Sequence, residues 1–396
     1  MSAICGQPGA PGCPVCEQRG DPLLTLQAQP IYQHPVPADV VVPAPHTVDL
    51  SWVSCAACGH AWQPRFDRSL LEVIYRSHYY TPAPDGLAVQ FRNDFMALLL
   101  RLGLVGQRRV LLEIGASDGE LLADIKNRSA ADCAYAFEPN ADNAAVARRR
   151  GLDVLQEFFG RKTAQAVERA DLVYARHVIE HVFDFEDFFD GLQMAAADSA
   201  DLVLETPSLD HHADRGSIAP FHIEHIHVFS ARSLAKLAST YGWVLRHAEV
   251  TSAGNLIAWF RRGGSTVEPR KPALSGLQES VAARHVRLRT LLAGRRLIFW
   301  GAGSAGVTLA GTIGREPELW TDGNPAKVGK RFVGLASRIV APESAFAMVR
   351  AQNSDGYVLV IASSFVEEIL PVVRSLGWDG EIFDADGIHL QGAAYA

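Results

Sequence analysis

The stretch Val110-Leu-Leu-Glu-Ile-Gly-Ala-Ser-Asp-Gly-Glu-Leu-Leu122 changes character at its midpoint. Its first five residues are apolar except for Glu113, the pattern of a buried strand. Gly115, Ala116, Ser117, Asp118 and Gly119 then make a small-residue turn, beyond which Leu121, Leu122 and Ile125 recur at helical spacing. Strand, glycine turn and helix are the opening unit of a doubly wound α/β domain, in which a ligand meets the strand ends. An ordinary strand-to-helix turn shows the same glycines, so the next strand matters. Ala134-Tyr-Ala-Phe-Glu138 ends in an acid 19 residues beyond Gly119, where a carboxylate takes hydrogen bonds from ribose hydroxyls. The turn lacks the Gly-x-Gly-x-x-Gly spacing, and Glu113 lies where it would repel a pyrophosphate. The pattern disfavours a dinucleotide and suits a nucleoside ligand with positive charge.

At 396 residues, 48% hydrophobic and 20% charged, the chain has material for two or three globular domains. A net charge of −7 gives no general footprint for nucleic acid or an anionic membrane. No apolar run approaches a bilayer span. Residues 1–12, rich in Gly and Pro, have neither a basic start nor an apolar core, so no signal peptide and a cytoplasmic setting are expected. The expected partner is a small molecule.

Cys13-Pro-Val-Cys16 and Cys55-Ala-Ala-Cys58 supply four thiolates, the donor set of a tetrahedral structural Zn²⁺. The proline-rich segment between them, with short β-like pieces such as Val40-Val-Val42, has too little core to fold without such a staple. Disulfides are disfavoured for a cytoplasmic chain, and a redox motif would be single. His60 is a possible substitute ligand; Cys5 and Cys133 read as a tail thiol and a buried core thiol. Residues 67–104 read as helices, interrupted at Tyr75-Arg-Ser-His78-Tyr79-Tyr80-Thr-Pro82, whose rings fit either a core or a pocket lining. Leu155-Gln-Glu-Phe158-Phe159 fits a third sheet edge, with rings that flank a base or pack inward.

Asp171 to His181 reads as a strand that turns polar at Arg176-His177, then a short helix through Glu180-His181. On a helix His177 and His181 share a face. A metal there lacks a third ligand, so one histidine is expected to face substrate and the other to pack. After the strand Ala200-Asp-Leu-Val-Leu-Glu205 comes Ile218-Ala-Pro-Phe-His222-Ile-Glu224-His225-Ile-His227-Val-Phe229-Ser230, with Ser230 capping a helix from Ala231. As a strand it puts His225 and His227 on one face and Glu224 on the other; as a loop all converge. A histidine network, an adventitious metal site and a catalytic loop all fit the composition. The position after a strand aimed at the ligand crevice favours the last. Asn255 adds a polar group on a late strand.

A polar, then helical linker precedes Arg296-Leu-Ile-Phe-Trp-Gly301-Ala-Gly303-Ser-Ala-Gly306, a full Gly-x-Gly-x-x-Gly between strand and helix. Glu318-Leu-Trp-Thr-Asp322 is a second strand ending in an acid. A phosphate fits the helix start, with Asp322 beside a ribose. Strands at Tyr357–Ile361 and Glu381–Phe383 complete a small Rossmann-like sheet. The expected architecture is α/β: a zinc-binding module at 1–66, a Rossmann-like domain at 67–265, a linker helix at 266–290, and a smaller Rossmann-like domain at 291–396.

The turn Glu113-Ile-Gly-Ala-Ser-Asp-Gly119 followed by Glu138 resembles a class I S-adenosylmethionine (SAM)-dependent methyltransferase. The Cys quartet, Glu224-His225 with Phe229-Ser230, and Asp322-Gly-Asn-Pro-Ala-Lys327-Val-Gly329 extend the likeness over nearly the whole chain. Together they resemble the zinc-containing sugar C-methyltransferases, which act on nucleotide-linked keto-deoxysugars. The resemblance implies a structural Zn²⁺ on Cys13, Cys16, Cys55 and Cys58. It implies SAM held by Glu113, Gly115, Ser117, Asp118, Gly119, Glu138 and His177. It also implies a catalytic loop of His222, Glu224 and His225, assisted by His181, Tyr79 and Tyr80, and a substrate nucleotide held by Gly301, Gly303, Gly306, Asp322 and Lys327. Two features depart from the family: His222 stands where a tyrosine is usual, and Gly303-Ser304-Ala305 replaces the middle of the usual Gly-Ala-Pro-Ala-Lys-Gly turn. These change the proton-transfer machinery and the nucleotide contact.

On this reading His225 is the base that removes a proton beside a ketone, because imidazole titrates near neutrality. Glu224 orients or polarises it, and His181 or a tyrosine of Tyr79-Tyr80 stabilises the enolate. Competing readings are an O- or N-methyltransferase on another small molecule, a nucleotide-sugar or NAD-binding protein with an inactive methyltransferase half, and a zinc-module interaction protein.

Overall fold

The apolar run at Val110 is buried along its whole length, and the other elements are arranged around it. The computed structural model describes residues 12–42, 45–76, 87–264, 268–352, 356–363 and 366–390. Strands β1 (Gly20–Pro30), β2 (Thr47–Cys55) and β3 (Ala61–Trp62) come first, then helices α1 (Arg68–Arg76) and α2 (Leu87–Arg101). The central part runs β4 (Val110–Ile114), α3 (Glu120–Ser129), β5 (Cys133–Phe137), α4 (Ala141–Arg149), β6 (Asp153–Leu155), β7 (Ala170–Arg176), α5 (Phe185–Ala195) and β8 (Ala196–Pro207). It continues through α6 (Leu209–Asp214), β9 (His227–Val228), α7 (Ala231–Thr240), β10 (Trp243–Val250) and β11 (Asn255–Arg262). After α8 (Leu277–Leu292) follow β12 (Arg296–Trp300), α9 (Ser304–Ile313), β13 (Leu319–Thr321), β14 (Ile339–Val340), α10 (Pro342–Ala351), β15 (Tyr357–Ile361), α11 (Val366–Ser375) and β16 (Glu381–Asp384). None of the described helices is long and apolar enough to cross a membrane.

The central sheet has the order β10-β11-β8-β7-β4-β5-β6 and is parallel except for β11. Alternate residues of β4 serve opposite faces: Leu111 packs with Leu122 and Ile125, whereas Leu112 and Ile114 pack with Phe189 and Leu192. A strand covered on both sides must be apolar throughout, which is why it carries no alternation. β4 lies between β5 and β7, so consecutive crossovers depart in opposite directions and leave a crevice at the strand ends.

The N-terminal sheet, β1-β2-β3-β9, is antiparallel, and its last strand comes from the histidine-rich stretch. Its core is shared. Leu24, Leu26 and Trp52 pack against Leu71 of α1, Phe221 and Ile226 of the central part, and Leu277 of α8. Val40-Val-Val42 forms no strand; the pairing falls instead to β1 and β2. Cys133, expected as a buried core thiol, is only partly buried and lies near Glu168. Cys5 lies outside the described residues.

The third sheet, β14-β13-β12-β15-β16, is wholly parallel and packed on both faces. Helix α8 is not a free linker: Leu277 and Val281 join the N-terminal core, and Leu288 and Leu292 join the C-terminal one. Val36 and Arg331 exchange backbone hydrogen bonds of 2.8 and 3.0 Å, which couples the first and last sheets directly.

Candidate active site

The turn after β4 is shaped by crowding. Gly115 has φ +76°, and a Cβ there would lie 2.4 Å from Val178 Cγ2, so only glycine fits. The Ser117 and Asn140 amides each donate at 2.8 Å to one oxygen of Glu138, tying the first turn to the end of β5. Burial raises the Glu138 carboxyl above its ordinary range, against those two hydrogen bonds. The Ser117 hydroxyl is buried beside it without a partner. Glu113, also buried, accepts from the Tyr174 hydroxyl at 3.2 Å. Burial pushes it up to about 8, with Arg176 and Tyr174 opposing. A cationic ligand would relieve that penalty. Asp118 turns away, pairing with Arg150 at 2.9 Å and accepting from the Glu120 amide, so its carboxylate is engaged along the surface.

His177 stands at the end of β7 with φ +52°, a left-handed conformation uncommon outside glycine. Its ring faces Glu180 at 3.4 Å and Glu205 at 3.9 Å. Burial alone would lower its pKa, but the two carboxylates raise it overall. Glu205 in turn takes Arg176 and, at 3.1 Å, the Asn255 amide. The expected helix at this point is a single 3-10 turn, Ile179–His181. His177 and His181 therefore do not share a face: one points to Glu180 and Glu205, the other to the histidine loop.

His181 Nδ1 lies 2.7 Å from the Glu224 carbonyl, to which the Tyr75 hydroxyl also donates at 2.8 Å. His225 Nδ1 lies 2.9 Å from the Pro220 carbonyl. A carbonyl only accepts, so both rings carry their proton on Nδ1 and present a lone pair at Nε2. Their centroids are 4.9 Å apart, and His222 lies 3.7 Å from His225. Burial holds His225 well below the imidazole range and puts His222 at about 3; it also lowers His181. Burial raises Glu224 to about 7, and its Oε1 has no partner. Nδ1 of His222 is likewise buried without a hydrogen bond, and the buried Glu180 carboxylate has only the long 3.4 Å approach of His177. So many orphaned polar atoms at one place mark a site that a ligand completes.

Three expectations change here. Glu224 does not orient His225; the Pro220 carbonyl does. His181 cannot donate to an enolate in its neutral Nδ1–H form. The set whose ligand atoms converge within 4.8 Å at this loop is Glu180, His181 and His225; His177, the expected partner of His181, is not in it. Tyr79 and Tyr80 lie outside the described residues. The tyrosine that meets the site is Tyr75, on the last turn of α1, which only a contact between distant segments reveals.

Cys13 and Cys58 sulfurs lie 3.6 Å apart and those of Cys16 and Cys55 3.5 Å, all four within 4.8 Å. A Zn²⁺ with bonds of ~2.3 Å in a tetrahedron requires sulfur separations of about 3.8 Å, so the quartet fits. His60 is not part of it; its Nε2 meets His227 Nδ1 at 3.1 Å. In the C-terminal sheet, a Cβ on Gly306 would meet the Gly301 carbonyl at 2.2 Å, so the turn after β12 is tight. Asp322 accepts from the Ala302 amide at 2.8 Å and from Lys327 at 2.9 Å, bringing two of the expected nucleotide residues, Asp322 and Lys327, together with the carboxylate already partnered. Gly303 caps α9 in extended backbone.

Residues 88–248 match the family described as "Methyltransferase domain", a span from α2 to β10 that contains the crevice and the histidine loop but less than half of the chain. This span is a methyltransferase domain, and the chain that carries it is an enzyme. Comparison with curated proteins finds no match. Solved structures similar to part of it include the N-methyltransferase NodS from Bradyrhizobium japonicum WM9, at 18% identity over 44% of this chain and 98% of that one, TM-score 0.34. Another is an O-methyltransferase family protein from Burkholderia thailandensis, at 13% identity over 45% and 57%, TM-score 0.37. A third is magnesium protoporphyrin IX methyltransferase from Synechocystis PCC 6803, at 15% identity over 50% and 100%, TM-score 0.38.

Proposed function

We propose that the protein C-methylates a nucleotide-linked keto-deoxysugar. The observation that carries this reading is the buried Glu–His loop set against the strand-end crevice, with Glu224 Oε1 unpartnered and the His225 Nδ1 proton engaged by the Pro220 carbonyl, which leaves Nε2 as the basic atom. Glu113, Gly115, Ser117, Glu138 and His177 would hold SAM, which supplies an electrophilic methyl group. Cys13, Cys16, Cys55 and Cys58 would hold a structural Zn²⁺. Gly301, Gly306, Asp322 and Lys327 belong to the proposed nucleotide end of the substrate.

His225 Nε2 takes the proton from the carbon beside the ketone, and the Pro220 carbonyl keeps the proton already present on Nδ1 and supports the imidazolium that forms. Burial depresses its pKa below the near-neutral value expected from the sequence, which keeps Nε2 unprotonated at neutral and mildly acidic pH and makes it a weaker base than a free imidazole. The Glu224 carboxyl, raised to about 7 by burial, is protonated in much of the population at neutrality and donates to the developing enolate oxygen. His181 fixes the loop through the Glu224 carbonyl.

The test is calorimetric titration with SAM, followed by exchange of the substrate carbon proton in D₂O with a dTDP-linked keto-deoxysugar. SAM binding, carbon exchange and methyl transfer are expected in the wild type. His225→Ala should keep SAM affinity and lose exchange and turnover by roughly 10²–10⁴-fold; unchanged turnover removes His225 from the mechanism. A second reading follows from the converging Glu180, His181 and His225, a donor set that suits a transition-metal ion: turnover abolished by a chelator and restored by Mn²⁺ or Fe²⁺, with any Cys-bound metal retained, would make this a cation site. Methyl transfer without carbon exchange would instead indicate O- or N-methylation.

A further inference from the structure

We infer that Gln63, contributed by the N-terminal module, is the positioning residue of the histidine loop. The inference rests on the reading of that loop as catalytic. Gln63 follows β3 directly and is 3% exposed. Its backbone amide donates to the Ile226 carbonyl at 2.8 Å, extending the pairing of Ala61 with Val228 and Trp62 with His227. Its side-chain nitrogen lies 3.1 Å from the His222 carbonyl, 3.1 Å from Ile223 and 2.9 Å from His225. Three carbonyls around one terminal atom identify that atom as the NH₂ group; a flipped amide would set oxygen against oxygen. Two N–H bonds serve three acceptors, so one is shared.

This fork closes the turn that presents the catalytic groups. His222 and His225 are joined by a backbone hydrogen bond of 3.1 Å, and Glu224 between them turns its carbonyl to His181. Without the donors, the buried carbonyls of Ile223 and His225 lose this partner, the half-buried His222 carbonyl is left with the His225 amide alone, and the turn must open to satisfy them. Opening moves the His225 ring away from the Pro220 carbonyl and frees His181. A parallel tie reinforces the arrangement. His60, two residues beyond Cys58, donates to His227, whose Nε2–H reaches the Val182 carbonyl at 3.1 Å, one residue after His181. The Cys knuckle is thereby connected to both segments of the site while contributing no group to the chemistry.

The test uses the full-length protein with Gln63→Met, which keeps length and removes both donors, and Gln63→Glu. Gln63→Met should leave SAM affinity within about twofold, accelerate amide exchange at position 63 and at His225 by roughly tenfold or more, and lower kcat far more than it raises KM for a dTDP-linked keto-deoxysugar. In Gln63→Glu the introduced carboxyl can donate only when protonated. Turnover should therefore fall as pH rises through its titration, a limb absent from the wild type. Wild-type amide exchange in Gln63→Met overturns the inference. If Gln63→Met fails to fold, the pH profile and loop exchange of Gln63→Glu decide it, and loop protection unchanged with pH overturns it. Amide exchange and SAM binding need no sugar. A wild type inactive on the sugar therefore counts against the proposed reaction, while loop exchange alone confirms or overturns the clamp.

Discussion

At the scale of single residues, burial sets the chemistry. Glu113 has its carboxyl near 8 in the folded protein and near 4.5 in the unfolded chain, so between those values the folded state binds the extra proton. Its contribution to stability is fully present below about pH 4.5 and lost as pH rises through about 8. Glu113→Gln should accordingly raise the melting temperature of the SAM-free protein by more at pH 8 than at pH 5. It should also weaken SAM binding most at high pH, where the wild-type carboxylate is ionised. Equal melting shifts at both pH values would show that Glu113 is not buried in its neutral form. The depressed pKa of His225 makes a second prediction: the acid limb of kcat/KM lies below pH 6.5, the ordinary imidazole value. A limb at or above that value would assign proton removal to another group.

At the scale of elements, β9 is the decisive piece. It is two residues long and is paired on one side by β3 of the N-terminal module. Ser230 follows it and opens α7 with a reciprocal capping box, its hydroxyl accepting from the Ser233 amide at 3.1 Å. The cap fixes where the loop ends and the helix begins. Ser230→Ala should cost roughly 0.5–2 kcal/mol of local stability. That should be read as faster amide exchange in the first turn of α7, with SAM affinity unchanged. Exchange at the wild-type rate would mean that packing of Leu234 and Leu237, rather than the cap, holds the helix start.

For the whole molecule, the three sheets form a mechanical chain. The Cys quartet closes the knuckle from which β3 and Gln63 emerge, and Val36–Arg331 and α8 join that module to the C-terminal sheet. Treatment with a chelator that would take Zn²⁺ from the Cys quartet, or Cys55→Ser, should increase amide exchange in β2, β3, β9 and the loop between Pro220 and Ile226 together. Strands β12 and β15, whose core is separate, should remain protected. Loss of protection confined to residues 13–60 would show that the loop stands without the knuckle.

Local chemistry made much of this legible in the sequence. The glycine turn after Ile114, the acid at Glu138, the two Cys pairs and the Ser230 cap each depend on neighbours within a few residues, so their spacing carries the signal. The sequence by itself also determined the two parallel sheets, because strands covered on both faces must be continuously apolar. Tertiary structure alone decided which side chains meet. Tyr75 reaching Glu224, Gln63 gripping three carbonyls of a loop far along the chain, and Glu180 joining His181 and His225 are contacts between distant segments, with no periodicity to announce them. It also decided protonation: a histidine's sequence neighbours do not reveal whether its ring is desolvated. Burial lowers both His225 and His177, and what separates them is the pair of carboxylates, Glu180 and Glu205, that face His177 and raise its pKa.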